Sequence, residues 1–327
     1  MREIVTYLRN TSLTPVLATL IIGSNAWAMV PDLMTHDVEP DYYFFVIPFV
    51  WQCDIDEYPQ TFGYMRNPLK WWLSCLSYQL TNSPKTFLLP FAIGLMPLVY
   101  FLGKYLTHDK LIALIAVVAF TYNPLYTDWA TNGTYDQVWA FFLLLSFVLL
   151  LKNRSGYSIS VYVVSLFAKV FSILYLPIWC YIAIKQKQFI PILVWGGLVI
   201  VSIIVILHLD MVQNIMGNEI GFYPEHLDQA IFRNISLFWQ VIPFMLALLG
   251  VNFVFAPKQR TKGRTTVILF ILWTFALTPI IHLFSEQLTF SYRYAAMAAF
   301  MSVFAGIVIV EIGNFVVESK LKIAKPH

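Results

Sequence analysis

Eight apolar runs near 20 residues long recur along this chain, at 13–30, 87–103, 110–122, 136–151, 190–208, 237–256, 265–284 and 294–315. Nothing constrains the fold more. A helix rises 1.5 Å per residue, so about 20 apolar residues cross a hydrocarbon core about 30 Å thick. The runs at 110–122 and 136–151 are short, which suits helices packed inside a bundle better than helices facing lipid. Only 12% of the 327 residues are charged and 59% are hydrophobic. A soluble domain carries about twice that share of charge. The expectation is an all-α, polytopic helical membrane protein of about ten transmembrane or re-entrant helices, forming one transmembrane domain over 1–327.

The stretch 155–184 lies between two basic clusters and has Lys169 near its middle. Thirty residues are too many for one span and too few for two full ones. It reads as a short helical hairpin with Lys169 near the turn. Charge supports this. Fifteen of the 21 basic residues fall in the segments that the hairpin reading places inside, among them Lys104, Lys110, Lys152, Arg154, Lys185, Lys187, Lys262 and Arg264. Fourteen of the 18 acids fall outside, leaving Glu3, Asp109, Glu311 and Glu318 inside. By the positive-inside rule both termini are cytoplasmic and the protein is a multi-pass protein of the cell membrane. A single span over 155–184 would place Lys185, Lys187 and the 257–264 loop on opposite faces. Arg2, Arg9 and Ala26-Trp27-Ala28 also fit a cleavable signal peptide, although the apolar stretch is longer than a usual signal core.

Polarity is concentrated on the expected outer side. The first outer loop, 31–86, holds seven acids, in two clusters at His36–Tyr43 and Asp54–Pro59. Asp37, Glu39 and Asp41 alternate, so in an extended stretch they face one way. Such a cluster repels itself, binds a cation, or raises the pKa of one member into the range of a base. As a plain solvated loop it would do none of these. Clustered carboxylates suit Mg or Mn, with Asp37 and Glu39 as ligands if a metal is used. Asp136 opens the run at 136–151, where capping by the helix dipole is the simpler account. Another outer loop covers 209–236.

Two cations stand apart from the surface acids. Lys169 at the hairpin top is costly unless it snorkels or meets an anion. Arg293, next to Tyr294, precedes the last apolar run, where its charge opposes the positive end of the helix. A phosphate would relieve both, bidentate on Arg293 and as a point charge on Lys169. Cys53 and Cys75 share the first outer loop and are able to pair, leaving Cys180 a buried free thiol. The six histidines have no metal-ligand spacing, and His36, beside Asp37, is the one of interest. No Walker motif or GxGxxG occurs, which argues against an ATP-driven pump. Nothing here suggests a nucleic-acid partner.

This arrangement resembles the GT-C superfamily of polyprenyl- or dolichyl-phosphate-sugar-dependent glycosyltransferases, in its protein mannosyltransferase and aminoarabinose transferase branches. Asp37-Val38-Glu39-Pro40-Asp41-Tyr42 is similar to their Asp-Glu-Pro-x-Tyr motif after the first helix, with Val38 interrupting it. Arg66-Asn67-Pro68-Leu69-Lys70-Trp71-Trp72 resembles their His/Lys-Pro-Pro-Leu-x-Tyr-Trp segment. Asp136 matches their recurring helix-leading acid, Lys169 their hairpin lysine, and Arg293-Tyr294 the Arg-Tyr segment before the last helix. The resemblance implies inverting transfer of a sugar from a polyprenyl-phosphate donor to a lipid, glycan or protein acceptor outside the membrane. In that scheme Asp37, with Glu39 next and Asp41 beside them, supplies the general base. Lys169, Arg293 and Tyr294 bind donor phosphate, and Asp136, His36 and Arg66 orient the acceptor or a cation. The large soluble C-terminal domain of many members is missing from this sequence, so acceptor binding is minimal or supplied by a partner subunit. The alternatives are a non-catalytic GT-C-like structural subunit of a membrane complex, and a transporter or flippase for a lipid-linked solute.

Overall fold

The computed structural model describes residues 12–35, 68–83, 85–127, 130, 136–190, 192–195, 197–198, 224, 261–283 and 295–323. Among them every element is helical. In chain order these are α1 (Leu13–Thr35), α2 (Pro68–Thr81), α3 (Leu88–Thr107), α4 (Lys110–Thr121), the single turn α5 (Pro124–Thr127), α6 (Asp136–Leu151) and α7 (Ser155–Ala168). A 3-10 segment (Val170–Tyr175), α8 (Leu176–Lys185), α9 (Arg264–Leu283) and α10 (Ala295–Ile323) follow. Leu13–Pro31, Leu88–Thr107 and Ala296–Val316 are each long and apolar enough to cross a membrane, and shorter apolar helices pack with them. The chain is a helical membrane protein. The run expected at 237–256 lies outside the described residues. So does most of 190–208, whose described part is helical.

Residue chemistry explains the turns. α3 stops where His108 takes a left-handed conformation (φ 57°) and donates its N–H to the Lys104 carbonyl. The next residue, Asp109, caps α4 by accepting from Leu111 N and Ile112 N. Asn153 (φ 58°) makes the equally short reversal between α6 and α7. At the other end, Ser77 Oγ donates to the Ser83 carbonyl (2.7 Å) and accepts from Phe87 N (3.1 Å), folding α2 back onto α3. Tyr126 on α5 donates to the Ala92 carbonyl (2.9 Å) and touches Met29 Sδ, so the end of α1, the start of α3 and α5 meet there.

α3, α4, α6 and α10 form the centre. α7 lies along α6, α9 along α10, and α1 covers the seam between α3 and α4. The two short runs are interior as expected: α4 buries Ile112, Ala113, Ala116, Val117 and Phe120, and α6 buries Val138, Trp139, Leu143, Leu144 and Phe147. By contrast α1 leaves Leu20 64% and Trp27 83% exposed, as a helix against lipid does. Phe270 and Phe300 stack at 3.6 Å between α9 and α10, and Phe147 of α6 meets both edge-on at 5.8 Å.

One end of the bundle gathers the basic turns. Arg264 at the start of α9 pairs with Glu311 of α10 (3.3 Å), and Lys185 at the end of α8 donates to Thr266 (3.2 Å). Gln188 reaches the Leu150 carbonyl (3.0 Å) and Asn153 Oδ1 (2.8 Å). Lys152 lies over Tyr105 near the end of α3. Helix directions follow from these contacts: the start of α1 and the end of α10 lie toward this basic end.

Small residues let α10 approach α4. A Cβ on Gly306 would sit 2.6 Å from the Ile112 carbonyl oxygen, a backbone atom that cannot swing away. Gly306→Ala is therefore expected to destabilise the bundle by about 1–3 kcal/mol, the usual cost of overpacking. Gly313→Ala, where nothing lies within 4 Å, is the matched control. Comparison of their unfolding midpoints in micelles checks this; equal midpoints would mean that the helices separate at no cost.

Candidate functional site

The segment 155–184 is built as two short helices around an interruption. α7 has 14 residues, about 21 Å of helix, which is less than the thickness of a hydrocarbon core. The chain then breaks at Lys169, whose backbone is extended (φ −159°, ψ 120°), and returns through the 3-10 segment into α8. Pro177 sits in the first turn of α8, where a missing N–H costs nothing.

A break at this depth is tolerated only where its polar backbone is satisfied by protein. Here it is. Lys169 N donates to the Ser165 carbonyl (2.9 Å), and its own carbonyl accepts from Ser172 N (3.0 Å). Tyr162 donates to the Ser172 carbonyl (2.6 Å), Ser172 Oγ to the Ser165 carbonyl (3.0 Å), and Trp273 Nε1 of α9 to the Leu174 carbonyl (2.7 Å). Lower down, Trp179 Nε1 donates to Ser158 Oγ (3.1 Å), which donates to the Ser146 carbonyl (2.7 Å), tying α8, α7 and α6 together. Tyr175 stacks between Trp139 of α6 (5.9 Å) and Phe270 of α9 (5.1 Å). The half-buried Lys169 thus rides on a rigid, aromatic-backed tip.

Several helix ends that flank the other candidate residues lie at this end. Asp136 is the first residue of α6, which runs antiparallel to α7, so Asp136 and Lys169 lie at the same end of the bundle. α1 ends at Thr35, one residue before His36, and α10 begins at Ala295, one residue after Tyr294. His36, Asp37, Glu39, Asp41, Arg66, Arg293 and Tyr294 themselves lie outside the described residues. The stretch 31–86 is partly helical, because α1 runs through Pro31 to Thr35 and α2 occupies Pro68–Thr81. Cys75 of α2 is disulfide-bonded, while Cys180 is a free thiol. Cys180 is half-buried rather than fully buried, since α8 has one face at the bundle surface.

The sequence had not singled out the aromatic backing. Trp139, Tyr162, Tyr175, Trp179 and Trp273 come from five segments, and only the hairpin's return brings them together. An open groove of about 490 Å³ lies at the opposite, basic end, lined by Asn153, Arg154, Ser155, Gly156, Tyr157 and Ser160. It has no connection with the hairpin tip.

A solved structure shares this architecture: ArnT from Cupriavidus metallidurans bound to undecaprenyl phosphate aligns over 94% of this chain with a TM-score of 0.55 and 12% identity. The chain has an ArnT-like fold, and it spans 62% of the length of the ArnT chain. No family model matches the sequence, and no curated protein matches it significantly. Within the ArnT-like fold, the interrupted hairpin and the lysine at its tip are part of the membrane-embedded bundle.

Proposed function

We propose that this chain transfers a sugar from a polyprenyl-phosphate-linked donor to an acceptor hydroxyl on the extracytoplasmic side of the membrane. The single observation that carries the reading is a cation-bearing interrupted hairpin tip, Lys169, set at the end of an ArnT-like bundle opposite its basic turns. The donor enters laterally from the bilayer, its isoprenoid chain against the helices and its phosphate toward Lys169, with Arg293 and Tyr294 completing the anion site. Asp37 takes the proton of the acceptor hydroxyl, with Glu39 as the second carboxylate and Asp41 beside them. The acceptor oxygen bonds to the anomeric carbon as the carbon–oxygen bond to phosphate breaks, with inversion. Polyprenyl phosphate departs, its charge held by the two cations. Asp136, His36 and Arg66 orient the acceptor or a bound cation.

In this reading the basic end faces the cytoplasm, as the positive-inside rule requires. A partner subunit contributes to acceptor binding in this reading. The test uses purified protein in sealed liposomes with radiolabelled polyprenyl-phosphate sugars and a membrane lipid extract. Label is expected to appear on an acceptor with release of polyprenyl phosphate. Intact donor moving across the bilayer without transfer would replace this reading by a flippase. Neither transfer nor movement, with and without candidate partner membranes, would favour the structural-subunit reading.

A further inference from the structure

The basic end of the bundle carries a pair of lysines that the proposed reaction does not use. Phe101, Lys104 and Tyr105 share one face of α3 by their three- and four-residue spacing. Phe101 and Tyr105 stack at 6.0 Å with 13° between their planes. Lys104 Nζ lies 5.7 Å from the Tyr105 ring, and Lys152 Nζ, from the end of α6, lies 5.2 Å from that ring and 5.5 Å from Phe101. Two ammonium groups are therefore held around one aromatic shelf, within cation–π reach. They repel each other, and among the described residues neither forms an ion pair.

The nearby carboxylates are engaged elsewhere. Asp109 accepts from the first amides of α4, and Glu311 pairs with Arg264. Phe101 is 36% exposed on a helix long enough to span, so this shelf faces the lipid at the bundle's rim. A partner that fits must be an anion presented at the membrane surface, with acyl chains that lie against Phe101.

We propose that Lys104 and Lys152, framed by Phe101 and Tyr105, form a binding site for the phosphate of an anionic phospholipid. One phosphate between the two ammonium groups removes their repulsion, and the aromatic pair fixes both lysine stems so that little side-chain freedom is lost. Lipid chains continue along the apolar side of α3. The inference rests on the membrane architecture and is independent of the proposed sugar transfer.

The experiment measures retention of phosphatidylglycerol and of phosphatidylcholine by the purified full chain in neutral detergent, by native mass spectrometry. Wild type is expected to retain phosphatidylglycerol preferentially. The K104Q/K152Q variant is expected to bind it about thirtyfold more weakly, since each lysine near an anionic surface contributes roughly five- to sixfold. K104R/K152R should keep the preference, which separates charge from misfolding. K187Q/K262Q removes two exposed lysines of the same end that have no aromatic shelf and should weaken binding much less. Equal retention of the two lipids by wild type would overturn the proposal. So would loss in the arginine variant as large as in the glutamine variant, or equal loss in the K187Q/K262Q control. Displacement of the lipid by millimolar inorganic phosphate would also overturn it, because a free anion would then be the occupant.

Discussion

Asp37→Asn is expected to lower kcat for sugar transfer by about 10²–10⁴-fold, the range contributed by a positioned general base. Asparagine keeps the shape of the side chain but accepts no proton at its amide, so donor binding should survive while turnover falls. A base acts only as the hydroxyl loses its proton, and a group of that kind moves kcat and kcat/KM together. Glu39→Gln is the comparison. In an extended stretch, alternation would turn Asp37, Glu39 and Asp41 to one side, and Val38 interrupts the acidic pair of the motif that this segment resembles. The two substitutions therefore decide which carboxylate holds the role. A loss confined to Glu39→Gln would transfer the base to Glu39. Unchanged turnover in both, with transfer intact in wild type, would remove the acidic cluster from the mechanism. The assay uses the full chain in lipid, because the proposed donor is itself a lipid.

Much of the architecture was legible because membranes simplify the problem. Hydrocarbon forbids unsatisfied backbone, so each apolar run becomes a helix and the loops are left to carry charge. That is why the basic residues alone foretold which turns share an end: Lys152, Lys185 and Arg264 do meet there. The break at Lys169 was legible for the same reason, since thirty residues fit neither one span nor two. What the sequence hides is which side of a helix meets lipid. α6 is apolar all round, so its short length, and not its pattern, announced that it sits at the centre while α1 lies outside.

The first apolar run ends at 30, yet α1 continues through Pro31 to Thr35. α3 likewise runs through Pro97. In a bundle the carbonyl freed by a proline is satisfied by neighbouring groups, so proline marks a helix end less firmly than in water. Pro68 had the opposite meaning. It starts α2, a helix inside a stretch that reads as loop, and its place in the first turn is where proline favours a helix. Of the site, the sequence named the charged residues and missed the aromatic groups that hold Lys169 in place. Aromatics are common in membrane chains as interfacial anchors, so Tyr175 and Trp273 carried no signal of their own.

Glu311 was visible only as one of four acids in a basic setting, and its partner stands 47 positions away. In the fold it is 5% exposed and accepts from Thr261 Oγ1 (2.7 Å), Thr261 N (3.3 Å) and Arg264 Nη1 (3.3 Å). This knot fixes the entry to α9. Gly263 (φ 78°), just before Arg264, lies so close to the Leu106 carbonyl that a side chain would collide with it. Glu311→Ala removes every acceptor at once and leaves a guanidinium and a hydroxyl unpaired in a nearly closed space. The expected loss of stability is about 3 kcal/mol, the lower end of what breaking a buried pair costs. Glu311→Gln keeps an oxygen for Thr261 and loses only the charge, so its loss should be smaller. Replacing both partners, as in R264L/E311L, is expected to recover much of the deficit, because two apolar side chains avoid the desolvation of a lone ion. Unfolding midpoints in micelles for the single and double variants form a cycle that isolates the pair. Strictly additive losses would mean that Arg264 and Glu311 contribute separately to the link between α9 and α10.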